Sequence, residues 1–131
     1  MKKALLPPGW IKPRGYANGV AARGTQVFIA GQIGWDAEAN FQSSDFAAQA
    51  RQALDNVVAV LAVAGGRPEH LVRLTWYVTD KREYLAALKE IGSAFRELIG
   101  NYDIAMSAVQ VAALMEDEAK VEIEATAVIP D

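Results

Sequence analysis

Hydrophobic and polar residues alternate most clearly near the C-terminus, in Lys120-Val-Glu-Ile-Glu-Ala-Thr-Ala-Val128. Val121, Ile123, Ala125 and Ala127 fall on one side, and Glu122, Glu124 and Thr126 on the other. A period of two is the signature of a strand with one face buried. The same pattern runs through 71–79, where Val72, Leu74, Trp76 and Val78 oppose Arg73, Thr75, Tyr77 and Thr79. Residues 107–114 read as a further strand, joined to the last one by the acidic loop Met115-Glu-Asp-Glu118. Toward the N-terminus, 16–22 and 26–35 read as two strands forming a hairpin about Arg23-Gly24-Thr25. Residues 1–15 contain Pro7, Pro8 and Pro13 and read as an extended, irregular arm.

Between these strands the period changes. Phe46, Ala50, Leu54, Val57, Leu61 and Ala64 recur at helical spacing, after a cap at Ser44 or Asp45 and before Gly65-Gly66. Asp80, with Glu83 three residues on, resembles a capping box. It opens a second helix with Tyr84, Leu88, Ile91, Phe95 and Leu98 on its buried stripe and Gly100 at its end. The order β-β-α-β-α-β-β predicts an α+β fold. It is a two-layer sandwich in which two helices cover one face of a five- or six-stranded sheet. The other face carries Arg73, Thr75, Tyr77, Glu122, Glu124 and Thr126 near the apolar Phe28, Ala30 and Val128. In a lone chain it stays open, and a mixed patch of that size predicts burial against further copies of the same chain.

Composition narrows the chemistry. The 131 residues fit one domain spanning 1–131, with a hydrophobic share of 52% that supports a real core. The net charge of −3 and pI near 5.2 give no general grip on phosphate backbones, so no nucleic-acid partner is expected. There is no cysteine, which removes disulfides, a thiol nucleophile and thiolate metal sites. The sole histidine, His70, reads as a surface-loop residue, and one histidine without cysteine makes a zinc site improbable. The opening Lys2-Lys3 resembles a signal n-region, but Pro7, Pro8 and Gly9 stop it, and no apolar run reaches membrane-spanning length. A soluble, cytoplasmic protein without membrane contact is expected.

Gly31-Gln-Ile-Gly34 and Ala64-Gly-Gly66 match neither the dinucleotide nor the P-loop spacing. Gly31 inside a strand points instead to a bulge or a close approach. Trp10, Trp35 and Trp76 read as packing or interface residues rather than a ligand cage. Tyr16, flanked by Gly15 and Gly19, either lines a pocket or packs at an interface. Glu122 is the strongest candidate for chemistry, because a carboxylate on a partly desolvated sheet face suits proton transfer or water orientation. The structural alternative is an ion pair between Glu122 and an arginine such as Arg73. Glu124 faces the same way, so alternation alone does not choose between the two carboxylates.

The ordered set of segments resembles the reactive intermediate deaminase family, also called YjgF/RidA. It includes Gly15-Tyr16, Phe28-Ile-Ala-Gly-Gln-Ile33, Ala50-Arg-Gln-Ala-Leu-Asp-Asn-Val57 and Ala64-Gly-Gly66. It continues through Val72-Arg-Leu-Thr-Trp-Tyr-Val-Thr-Asp80 and Lys120-Val-Glu-Ile-Glu-Ala-Thr-Ala127. The resemblance implies a chorismate-mutase-like fold and a homotrimer with a ligand cleft at each subunit interface. It also implies cofactor-free hydrolysis of enamines or imines to a keto acid and ammonia. Glu122 falls at the family's water-positioning glutamate and Tyr16 at its cleft tyrosine. Met106 stands where the family has an arginine that binds the substrate carboxylate, with Ser107 beside it. A thioether cannot pair with a carboxylate, so another cation, such as Arg14 or Arg73, would have to replace it.

Two readings follow: an imine or enamine hydrolase whose substrate is not a typical 2-imino acid, and a non-catalytic small-molecule binder or regulator. Family names that mention ribonuclease or translation inhibition suggest a third, which the acidic balance and the lack of a catalytic histidine disfavour.

Overall fold

The computed structural model describes residues 2–101 and 103–131; Met1, the first residue of the expected arm, and Tyr102 lie outside them. In chain order the elements are β1 (Lys2–Leu5), β2 (Gly19–Ala22), β3 (Thr25–Ile33) and α1 (Phe46–Val63). After a single 3-10 turn at Pro68–His70 come β4 (Leu71–Val78), α2 (Lys81–Ala86), α3 (Leu88–Leu98), β5 (Ala105–Gln110) and β6 (Val121–Ile129). The α+β class and the helix-covered sheet are as expected. The sheet, however, has four strands in the order β3-β6-β4-β5, and β1 and β2 form a separate antiparallel ribbon.

The ribbon corrects two expectations. Part of the proline-rich arm is a strand, and β2 pairs with β1 rather than forming a hairpin with β3. Lys2 helps hold the ribbon in place. Its Nζ donates to the carbonyl of Glu69 (3.0 Å), in the turn before β4, and to that of Leu71 (3.1 Å), the first residue of β4. Gly24, at φ 144°, turns the chain away from β2 so that β3 can pair with β6 instead.

The alternation in β6 places its side chains as expected. Val121, Ile123, Ala125 and Ala127 are buried beneath the helices, while Glu122, Glu124 and Thr126 face the other way. Asp45 caps α1 by accepting from the backbone N–H of Ala48, and Phe46, Ala50, Leu54, Val57 and Leu61 are buried against the sheet. Ala64 is the C-cap and is exposed. Gly34 allows the close approach, since a Cβ there would come within 2.6 Å of the Gln49 side chain. Asn56 fastens the same contact by donating to the carbonyls of Ile33 (3.0 Å) and Trp35 (2.8 Å).

The second helix is broken. Asp80 caps it by accepting from the Arg82 N–H, but Glu83 turns to Lys120 (3.1 Å) rather than completing a box. The Ala87 N–H is shared between the carbonyls of Glu83 and Tyr84, and Ala87 sits at ψ 4°, which separates α2 from α3. The kink moves Leu88 out of the expected buried stripe, leaving it 46% exposed. β5 runs parallel to β4, which requires the crossover that α2 and α3 supply. It begins two residues earlier than the alternation suggests and ends at Gln110, so Met106 lies within the strand.

Candidate active site

Two patches hold the residues of interest. The first is a cleft of about 690 Å³ along β5, bounded by residues 12–16 and by α2 and α3. A backbone bond builds its wall. The Ala17 N–H donates to the Ile104 carbonyl at 2.9 Å, and Ala17 pairs with Ala105 in a parallel bridge. This lays the N-terminal segment along the free edge of β5 and sets Arg14 and Tyr16 across the cleft from Met106 and Ser107. Met106 pairs in register with the buried Leu74, so it points to the helix side, where it packs half-buried against the core. Ser107 pairs with Thr75 and faces the other way. Because β5 is an edge strand, both still border the cleft.

The floor is apolar. Trp76 and Tyr84 meet with ring centroids 6.2 Å apart, and Ile91, Phe95 and Met106 complete it. Burial pushes the Tyr84 phenol above its ordinary pKa, as low-polarity surroundings should. The rim carries Lys12, Arg14 and Arg96 against the single carboxylate of Asp103.

The second patch lies on the open face of the sheet. Glu122 on β6 is Cα-paired with Ile33 on one side and Tyr77 on the other. Its carboxylate lies directly over Gly31, at the register shift between Ile29 and Gln32, and any Cβ at position 31 would overlap it. Both readings of Gly31, bulge and close approach, therefore hold. Glu124 accepts a hydrogen bond from the Tyr77 hydroxyl. The Tyr77 pKa is raised first by that hydrogen bond, then by burial and the charges of Glu124 and Glu122, against the opposing charge of Arg73. The geometry thus separates two carboxylates that alternation left equivalent. Glu124 is engaged by Tyr77. The Glu122 side chain makes no hydrogen bond or ion pair with another described residue, Arg73 included. Thr75, expected on this open face, is buried at 8%, wedged between its register partners Glu124 and Ser107.

The structure therefore gathers Arg14, Tyr16, Met106 and Ser107 in the cleft, and Glu122 with Arg73 on the sheet face. Within one chain it does not bring the two groups together: the order β6-β4-β5 leaves Glu122 two strands in from the cleft edge. Trp76, Tyr84, Lys12 and Arg96 are cleft residues that sequence reasoning missed. The signal for Arg96 was Gly92, a glycine inside a helical stripe one turn before an arginine. Tyr84 does pack against the core, as its place on the helical stripe predicts, and it also borders the cleft. His70 behaves as a turn residue, its Nδ1 accepting from the Arg67 N–H at 2.9 Å. Among the described residues no group of three or more metal-ligating side chains occurs, and no helix is long and apolar enough to cross a membrane.

This fold and these segments recur in known proteins. Residues 11–129 match the family described as Endoribonuclease L-PSP. The 2-iminobutanoate/2-iminopropanoate deaminase of Salmonella typhimurium is 36% identical over 113 residues, covering 86% of each chain. A RutC family protein of Pyrococcus horikoshii is 32% identical over 97% of this chain and 98% of its own. Among solved structures, the Rid-family protein YyfB of Yersinia pestis, of unknown function, superposes with a TM-score of 0.86 at 31% identity, covering 98% of both chains. The Escherichia coli YjgF product gives a TM-score of 0.67 at 32% identity over 96% of this chain and 98% of that one. The chain belongs to the Endoribonuclease L-PSP family, the family of the YjgF and Rid proteins.

Proposed function

We propose that this protein hydrolyses a reactive imine or enamine to a carbonyl compound and ammonia, in clefts completed between the subunits of a homotrimer. The observation that carries this reading is the Glu122 carboxylate, held over Gly31 with no hydrogen-bond or ion-pair partner among the described residues. The open face that bears it also exposes 73% of Phe28, a surface suited to burial against another copy. The deaminase relatives support the reaction class. In this scheme a cleft lined by Tyr16 and Ser107 in one subunit meets Glu122 of a neighbouring one. Glu122 takes a proton from water as the water oxygen adds to the imine carbon. Glu122 returns that proton to the nitrogen, the hydroxyl of the adduct then gives its own proton to the nitrogen as the carbon–nitrogen bond breaks, and ammonia leaves behind a carbonyl group. An enamine first takes up a proton at carbon and gives one up at nitrogen to become the imine.

Met106 favours a second reading. A half-buried thioether occupies the position of the family's carboxylate-binding arginine, which fits a cleft that binds ligands without turning them over. Arg14 lies at the cleft and can replace that cation, whereas Arg73 lies on the sheet face. Imines generated in situ by an amino-acid oxidase, in competition with semicarbazide, separate the two readings. Hydrolysis by the native protein and its loss by roughly 10²-fold or more in Glu122→Gln is the expected result. Absence of turnover on every imine tested, with the trimer intact, would replace the enzyme by the binder.

A further inference from the structure

Resting on the assignment of the β5 cleft as the ligand site, we propose that it takes a carboxylate ligand with a bulky aromatic body. The body lies on the Trp76–Tyr84–Phe95 floor, and the carboxylate is held at the rim by Arg96 with Arg14. As an imine substrate, such a ligand is the imine of an aromatic oxo acid rather than that of a three- or four-carbon one.

Three observations point this way. First, the floor is apolar and wide. At about 690 Å³ the cleft falls within the range of pockets that enclose a drug-sized molecule, far more than a three-carbon acid fills. Met106 adds to that floor a polarizable thioether, which packs well against aromatic rings. Second, the rim has an excess of positive charge. Lys12, Arg14 and Arg96 border it against Asp103 alone, and none of the three forms an ion pair with another described residue. Guanidinium groups without a carboxylate partner are suited to bidentate capture of one. Third, one of them lies back along α3. Gly92 sits in the helix interior, where glycine is unfavourable, and a Cβ placed there would lie 3.4 Å from Nη1 of Arg96. The guanidinium therefore folds back over the bare backbone of Gly92, itself a cleft residue, and stays beside the apolar floor.

Calorimetric binding of 3-phenylpropionate, propionate and neutral 3-phenylpropanol to the native trimer tests this without requiring turnover. Filling the floor should make 3-phenylpropionate bind roughly tenfold or more tightly than propionate. The rim should make it bind more tightly than 3-phenylpropanol. Arg96→Gln should erase the preference for the acid over the alcohol while leaving the alcohol's own affinity unchanged. Gly92→Leu, a strong helix former that fills the floor, should abolish binding of both. Equal affinity for acid and alcohol, or a preference that survives Arg96→Gln and Arg14→Gln, overturns the proposal. So does failure of either phenyl compound to bind. The outcome is independent of the hydrolysis reading. Binding that follows the predicted pattern in a protein inactive on all imines would leave this inference standing and remove the enzyme. Turnover of 2-iminopropionate without phenylpropionate binding would do the reverse.

Discussion

The two faces of β6 are written by adjacent residues and have opposite characters. Beneath the helices, Val121 and Ile123 are fully buried. On the other side, Glu122 and Glu124 lie on a sheet face that no helix among the described residues covers. One face is complete within a single chain, and the other is furnished with charge and with an exposed phenylalanine. The difference separates what holds the chain together from what the chain offers to others. The sharpest way to break that division is Ile123→Ala. Removing three methyl(ene)-sized groups from a closed core should cost about 2–5 kcal/mol in chemical denaturation. Glu122→Gln, one residue away, should change stability by no more than about 0.5 kcal/mol. A similar loss for both would mean that the open face is as structurally committed as the covered one.

Gly31 tests the open face more finely. Alanine there drives a Cβ into the Glu122 side chain. The carboxylate has solvent on its outer side and can swing away, so stability should fall by only about 1 kcal/mol. Hydrolysis should fall at least as far as the displaced carboxylate dictates, roughly tenfold or more. If Gly31→Ala keeps full activity on a substrate that Glu122→Gln fails to turn over, the carboxylate acts from a position other than the one over Gly31.

Most of the covered face was legible in the sequence, because periodicity reports burial directly. The α1 stripe, a cap at Ser44 or Asp45 and the alternation of β6 all follow from the sequence, and the structure chooses Asp45. The ribbon was not legible. Lys2–Leu5 carries no alternation, and its position depends on Lys2 reaching carbonyls 67 and 69 residues away. The hairpin expected around Gly24 failed because a turn signal fixes only a reversal, not which strands then pair. Alternation could not choose between Glu122 and Glu124, and only the resemblance pointed to Glu122, since the physical difference rests on Tyr77 across the sheet and on the absence of a side chain at Gly31. The cleft was half legible. Tyr16, Met106 and Ser107 were found by resemblance, but Arg96 and Tyr84 come from a helix whose kink at Ala87 leaves no mark in composition.

Gly92 offers a gain rather than a loss. In a helix interior, Gly92→Ala should stabilise the fold by about 1 kcal/mol, seen as a raised melting temperature. The new methyl meets Arg96 at ordinary contact distance, so neither the core nor the sheet face should register it. A lowered melting temperature would mean that the guanidinium packs more tightly over position 92 than the structure shows.

The smallest effect lies in the Tyr77–Glu124 contact. The phenol must keep its proton to donate to the carboxylate, so its pKa is raised above the ordinary value of 10.0, with the hydrogen bond as the leading cause. A raised folded pKa means that the contribution to stability is fully present below the unfolded value. It is lost as pH climbs from about 10 through the folded value. At neutral pH the contact should therefore be insensitive to pH. Absorbance titration of phenolate formation, with Tyr77→Phe subtracted from native, isolates this phenol from the other tyrosines. Its midpoint should lie above the ordinary range and fall back in Glu124→Gln, while Tyr84, raised by burial on the helix side, should not move. An ordinary midpoint for Tyr77 in the native protein would mean that Glu124 is disengaged in solution, and the two carboxylates of the open face would again be equivalent.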